Sequence, residues 1–183
     1  MATDDPIEVV AADPAWAGEF QAIGHRLREA LGRAAVRIDH VGSTAVPGLD
    51  AKPVIDIQVS VDRLDPDEPF RLPLERLAFR FQSTNPDRSK RFYREPPGSR
   101  RTHVHVRRVG SVDEQLTLLF RDFLRASAAA RREYAAAKHE LARTYHHDRE
   151  GYVRAKEPTV WALLRQAHDW MEATGWTPGP TDL

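Results

Sequence analysis

The chain has no cysteine. That absence removes disulfides, thiolate zinc sites and a cysteine nucleophile together, and leaves any metal to the eight histidines and the carboxylates. No segment approaches the roughly 18 consecutive apolar residues that a membrane-spanning helix requires. The opening, MATDDPIEVV, is acidic where a secretory leader is basic and then apolar. The expectation is a cytoplasmic protein without a membrane partner. Neither sign of charge dominates, since 27 basic and 27 acidic side chains give a formal net charge of zero, so total charge draws the chain toward neither nucleic acid nor anionic lipid. Internal repeats and low-complexity tracts are absent as well. A length of 183 residues suits one domain, residues 1–183, around one sizeable core.

What is present is organised by period. Asp13-Pro14 reads as a helix start, and Trp16, Phe20, Ile23, Leu27 and Leu31 recur at helical spacing up to Gly32. Residues 35–41 alternate and include β-branched side chains, which predicts a strand ending at Gly42; a second strand is expected over 54–61. A turn-rich acidic connection follows, then a short helix over 72–77, a short strand around Phe79-Arg80-Phe81, and a strand over 101–107 with Phe92 and Tyr93 on its neighbour.

From Val112 the period changes. Leu116, Leu119, Phe120, Phe123 and Leu124 form one stripe of a helix whose other face carries Asp113, Glu114, Arg121 and Asp122. Helices over 128–145 and 158–173 complete the chain, and the tail TGWTPGPTDL is expected to fray. Strands in the middle and helices in the second half predict an α+β fold, a small mixed sheet packed against helices with a helical C-terminal half.

One strand holds an unexpected residue. In VIDIQVSV, Ile55, Ile57, Val59 and Val61 share a face, and alternation puts Asp56, Gln58 and Ser60 on the other, expected to be the wetter side. A strand aspartate often does no more than accept hydrogen bonds from a nearby loop. This one follows Gly42-Ser43-Thr44, where a glycine permits close backbone approach and two hydroxyls stand ready to grip phosphate oxygens. His103 and His105 likewise share a face of their strand, with Val104 and Val106 turned to the core. His40 falls on the apolar side of its own strand and reads as a core histidine. Arg88, Lys90, Arg91, Arg94, Arg100, Arg101, Arg107 and Arg108 face only Asp87 and Glu95 within residues 85–108. That local excess suits a polyphosphate, a nucleotide or an RNA backbone, or else a solvated loop. Phe92 and Tyr93 suit either base stacking or the core.

The run HVGSTAVPGL, KPVIDI, HVHV, LLFRDFLR, EYAAAKHELA and Tyr152 with Lys156 closely resembles the GrpB family over nearly the whole chain. That family is assigned to the nucleotidyltransferase fold related to DNA polymerase β. The superfamily motif pairs a hydrophobic residue, Gly and Gly or Ser with two carboxylates on the next strand; Val41, Gly42, Ser43 and Asp56 match it, and Gln58 stands where the second carboxylate belongs. The resemblance implies a metal-dependent transfer of a nucleotidyl group to an unknown acceptor, with Gly42, Ser43, Thr44, Lys52 and Arg101 on the phosphates. Arg121, Lys138 and Lys156 also fall within the family-like motifs. On a strand beside that of Asp56, His103 and His105 would occupy the place where the superfamily keeps a third carboxylate. The three then form a candidate catalytic set, either holding a divalent ion, magnesium, manganese or zinc, or with one histidine acting as base; two imidazoles favour zinc, manganese, iron or nickel over magnesium. The alternatives are a non-catalytic nucleotide-binding or anion-binding module, a metal-dependent phosphoester hydrolase with the same residues, and plain surface histidines.

Overall fold

A computed structural model describes residues 6–183; the acidic opening read against a secretory leader lies partly outside these described residues. Five strands form one mixed sheet in the order β1-β2-β5-β4-β3, where β1 is Arg37–Val41, β2 Ile55–Val61, β3 Arg80–Phe81, β4 Lys90–Arg94 and β5 Thr102–Arg108. Only β2 and β5 pair in parallel; the other pairs are antiparallel. The helices are α1 (Ala15–Leu31), α2 (Glu68–Arg76), α3 (Val112–Ala126), α4 (Ala128–Thr144) and α5 (Arg149–Thr174). The α+β expectation holds. Among the described residues, no helix is long and apolar enough to cross a membrane.

The two faces of the sheet differ in chemistry. Ile55, Ile57, Val59, Val104, Val106 and Tyr93 pack under α1 and α2 against Trp16, Phe20, Phe70 and Leu74, an apolar layer whose burial drives this half of the fold. Strand alternation turns Asp39, Asp56, Gln58, Ser60, His103 and His105 to the opposite face. That second face is not the wetter one along its whole length. The start of α3 closes over one end, where Glu114 accepts a hydrogen bond from Ser60 Oγ at 2.8 Å and the Gln58 amide donates to the Glu114 carbonyl at 3.3 Å. Gln58, Ser60 and Glu114 are fully buried, and Asp56 alone of the β2 polar side chains stays partly open.

Three expectations are corrected. Glu114 and Arg121 do not lie on an exposed face of α3; both are buried, because each finds hydrogen-bond partners on distant segments that offset its desolvation. The long last helix starts at Arg149, nine positions before Pro158, which sits inside it: Asp148 caps the Gly151 N–H at 2.7 Å and starts the helix there. The tail does not fray. Thr181 Oγ1 accepts the Ile38 N–H at 2.9 Å, Asp182 accepts the His40 N–H at 2.9 Å, and the Leu183 N–H reaches the Ile38 carbonyl at 3.2 Å. The tail thus covers the free edge of β1, and Arg121 ties it down through Asp182 at 3.1 Å.

Candidate functional site

The parallel register places Asp56 opposite His103 and Gln58 opposite His105. Both imidazoles reach the same carboxylate oxygen: His103 Nδ1 lies 3.1 Å and His105 Nε2 3.2 Å from Asp56 Oδ1. Burial alone would raise the Asp56 pKa, but the hydrogen bonds and charge of the two histidines outweigh it and hold the carboxyl well below its ordinary range. Burial pushes His105 down, against the pull of Asp56. Phe92 of β4 stacks on His105 with ring centres 5.1 Å apart and meets His103 edge-on, so the histidine pair is walled by an aromatic ring. Tyr93, on the opposite side of β4, is fully buried in the core.

The loop after β1 is divided in its roles. Gly42 adopts φ +70° and lies beside Asp56. Ser43 faces the same cavity, where Lys138 of α4 donates to its Oγ at 3.1 Å and also to the Asp50 carbonyl. Thr44 does not join them. Its hydroxyl donates to the Val54 carbonyl at 3.0 Å and therefore accepts from His40 Nε2–H at 3.1 Å, within the protein interior. His40 stacks on Phe20, with ring centres 4.7 Å apart, and burial lowers its pKa to about 4. It is a core histidine.

The basic residues also separate. Lys90 and Arg107 line the cavity with Asp56, whereas Arg91 turns away to Asp65 at 2.9 Å and Arg100 is held by Glu19 at 2.9 Å. No single patch covers residues 85–108. A second group of cations comes from elsewhere: Lys52 sits over the Tyr152 ring at 5.0 Å, Lys156 over the same ring at 5.6 Å, and Lys138 over Tyr134 at 4.7 Å. Desolvation, then the charges of Arg149, Lys156 and Arg101, lower the Lys52 pKa to about 8. Desolvation, with the Lys156 charge adding to it, lowers Lys138 to about 7. Arg101 therefore belongs to this cationic group by its field, although the hydrogen bond it makes to β2 is through its backbone carbonyl. Arg149 carries no pattern of its own in the sequence; its one signal is its place beside Asp148, a residue type that caps helices.

Does this set of side chains fit a divalent ion? One carboxylate oxygen and two imidazole nitrogens lie within 4.8 Å of one another, a spacing that one ion with ligands at roughly 2.0–2.2 Å accommodates. The donor set is that of a transition-metal site. The far nitrogens, His103 Nε2 and His105 Nδ1, are buried without a protein partner among the described residues, so no protein group supplies the outer hydrogen bond that often orients a metal-bound imidazole. Gln58 lies under α3 and contributes nothing to this cluster, which leaves Asp56 as its sole carboxylate.

Comparison with known proteins places the family and the fold. The family described as "GrpB protein" matches residues 6–166. A UPF0157 protein of Pseudomonas aeruginosa is 47% identical over 91% of this chain and 69% of its own length. A protein named dephospho-CoA kinase from Mycolicibacterium paratuberculosis is 35% identical over 94% of this chain, which spans only 49% of that relative. Among solved structures, the conserved protein GrpB from Enterococcus faecalis superposes with a TM-score of 0.80 at 27% identity, covering 88% of this chain and 98% of that one. Cid1 in complex with its short product ApU gives 0.50 at 16% identity, over 74% of this chain and 43% of that one. At that identity the likeness to Cid1 is one of fold, and the fold is nucleotidyltransferase-like.

Proposed function

Because the chain belongs to the GrpB family, matching it over residues 6–166, and has a nucleotidyltransferase-like fold, we propose that it transfers a nucleotidyl group from a nucleoside triphosphate to an acceptor hydroxyl. The observation that carries this reading is the convergence of Asp56, His103 and His105 on one oxygen beside the Gly42-Ser43 loop. Asp56 Oδ1, His103 Nδ1 and His105 Nε2 would hold one divalent ion. When bound, that ion supplies Lewis-acid neutralisation of phosphate charge.

The protein's own groups do the rest. Ser43 and the loop beside it position the phosphates, and Lys138, Lys156, Lys52, Arg149 and Arg101 offset the charge of the leaving pyrophosphate. The acceptor oxygen bonds to the α-phosphorus as the bridging oxygen to the β-phosphorus departs with the electron pair, and the acceptor proton leaves to solvent at the open side of the cleft. The Cid1 structures include a poly(U) polymerase with UTP selectivity, which makes a nucleotide, with RNA as one acceptor class, a reasonable partner to test. The kinase activity named in the mycobacterial relatives belongs to chains about twice as long and supports only a phosphate-bearing substrate. A cytoplasmic setting goes with such substrates.

Gln58 favours a second reading. With the second carboxylate position occupied by a buried amide, the two-ion clamp of ordinary nucleotidyl transfer has no second anchor, and nucleotide binding without transfer, or hydrolysis at a single ion, follows. Two measurements separate these readings. Metal content of the wild type against a His103→Ala, His105→Ala double variant is expected to differ by the whole bound ion; equal content sinks the metal site. Pyrophosphate release from labelled triphosphates with an acceptor panel is the signature of transfer; phosphate release points to hydrolysis, and release of neither to the binding module.

A further inference from the structure

The cavity that contains Asp56 has a volume of about 600 Å³ and a lining of two unlike kinds, charged and apolar. Cations (Lys90, Arg107, Arg121, Lys156) outnumber carboxylates (Asp56, Asp113, Glu157) among its charged residues, and Leu116, Phe120, Val160, Trp161 and Leu164 are its main apolar ones. The cations suit phosphates, yet a phosphate alone gives the apolar residues no partner. Trp161 is the most telling of them. It is 57% exposed on α5, and Val153, about two turns earlier on the same helix, is 47% exposed. The other tryptophans have packing roles: Trp16 is buried under the sheet, and Trp170 packs against Phe123 and Trp176. A large aromatic ring left open in the same cavity as Lys90, Arg107 and Lys156 suits a ligand with a charged end and a flat apolar end.

We propose that Trp161 is the stacking platform for the base of a nucleotide whose phosphates lie along Ser43, Lys90 and Lys156, so that the ligand class of this cavity is a nucleoside polyphosphate rather than an inorganic or sugar phosphate. The inference rests on the phosphate-handling reading of the same cavity. Stacking on an indole is tolerant of base identity, because every base has a π-face, so purine and pyrimidine nucleotides bind alike through it. Base selectivity, if the cavity has any, then comes from its polar neighbours rather than from Trp161.

The test uses the full chain and three probes: ATP, UTP and inorganic tripolyphosphate, each titrated while tryptophan emission and heat of binding are followed. Both nucleotides are expected to quench emission, and tripolyphosphate is not. Trp161→Leu should bind tripolyphosphate as the wild type does and bind both nucleotides about tenfold more weakly, with Trp161→Phe recovering most of the loss. Because Trp161 is exposed, an unchanged melting temperature separates a lost contact from a lost fold. Nucleotide affinity equal in Trp161→Leu and wild type overturns the stacking proposal while leaving the phosphate reading intact. Failure of the wild type to bind any of the three probes removes the phosphate reading, and the platform with it. Wild-type self-association that disappears in Trp161→Leu assigns this face to a second copy of the chain, and that result too overturns the proposal.

Discussion

Gly42 lies in contact with Asp56: a Cβ placed on Gly42 would come 2.7 Å from Asp56 Oδ2 and 3.0 Å from the Asp56 Cβ. Glycine is required there twice over. Its φ of +70° with ψ of −172° belongs to a region open essentially to glycine alone, and the space for a side chain is already filled by the carboxylate that the two histidines hold. The loop can close on Asp56 only because residue 42 has no side chain.

Gly42→Ala should therefore damage stability and site together. Backbone strain of this kind costs about 1–3 kcal/mol, and relief of the collision requires Asp56 or the loop to move. The expected outcome is a lowered denaturation midpoint together with loss of any ion that the proposed Asp56, His103 and His105 site holds in the wild type. A variant that melts early yet keeps its full metal content would show that the loop shifts and Asp56 does not.

Much of this arrangement was legible in the sequence, and the reason is periodicity. Alternation alone placed Asp56 opposite Ile55 and Ile57, and put His103 and His105 on one face with Val104 and Val106 on the other. Those inferences need only the geometry of a single strand. That Phe92 stacks beside His105 was half legible, since its strand was expected next to the histidines. What pattern could not reveal were charges satisfied at long range. Glu114 and Arg121 look like the solvent face of an amphipathic helix, but Ser60 lies 54 residues from Glu114 and Asp182 lies 61 from Arg121. Burial of a charge depends on such partners, and no local window contains them. The docked tail escaped notice for the same reason: its Pro and Gly residues signal a loop, and nothing nearby signals that Arg37 and Arg121 await it. Thr44 shows the reverse error, a hydroxyl assigned to phosphate by its neighbours in sequence and spent on Val54 and His40 in space.

Lys138 links the site to pH. Burial lowers its pKa from 10.5 to about 7, so in the folded protein it binds fewer protons than in the unfolded chain between those values, and its contribution to stability rises with pH across that window. A polyanion bound at Ser43 favours the charged amine and raises that pKa again. Binding of tripolyphosphate at about pH 8.5 should then take up close to one proton through Lys138, with Lys52, lowered to about 8, adding a smaller share. Affinity should fall as pH climbs from about 7 toward 10. Calorimetry in two buffers of different ionisation enthalpy reads the uptake directly. Lys138→Met is expected to abolish most of it, and undiminished uptake in that variant would place the responding group elsewhere.

Gln58→Asp tests why the second carboxylate is missing. The substitution restores the superfamily's Asp-x-Asp pattern in sequence, yet residue 58 sits under α3, with its amide donating to the Glu114 carbonyl at 3.3 Å and the Glu114 carboxylate bonded to the neighbouring Ser60. An aspartate there loses the donor, faces a carbonyl and a carboxylate, and is fully enclosed. An unpaired buried charge costs about 3–5 kcal/mol. The expected result is a less stable protein whose metal stoichiometry is unchanged and whose stability recovers at low pH, as the new carboxyl protonates and donates to the Glu114 carbonyl. A second bound ion with restored pyrophosphate release would instead mean that α3 lifts from the sheet and that the closed end of this face belongs to the working site.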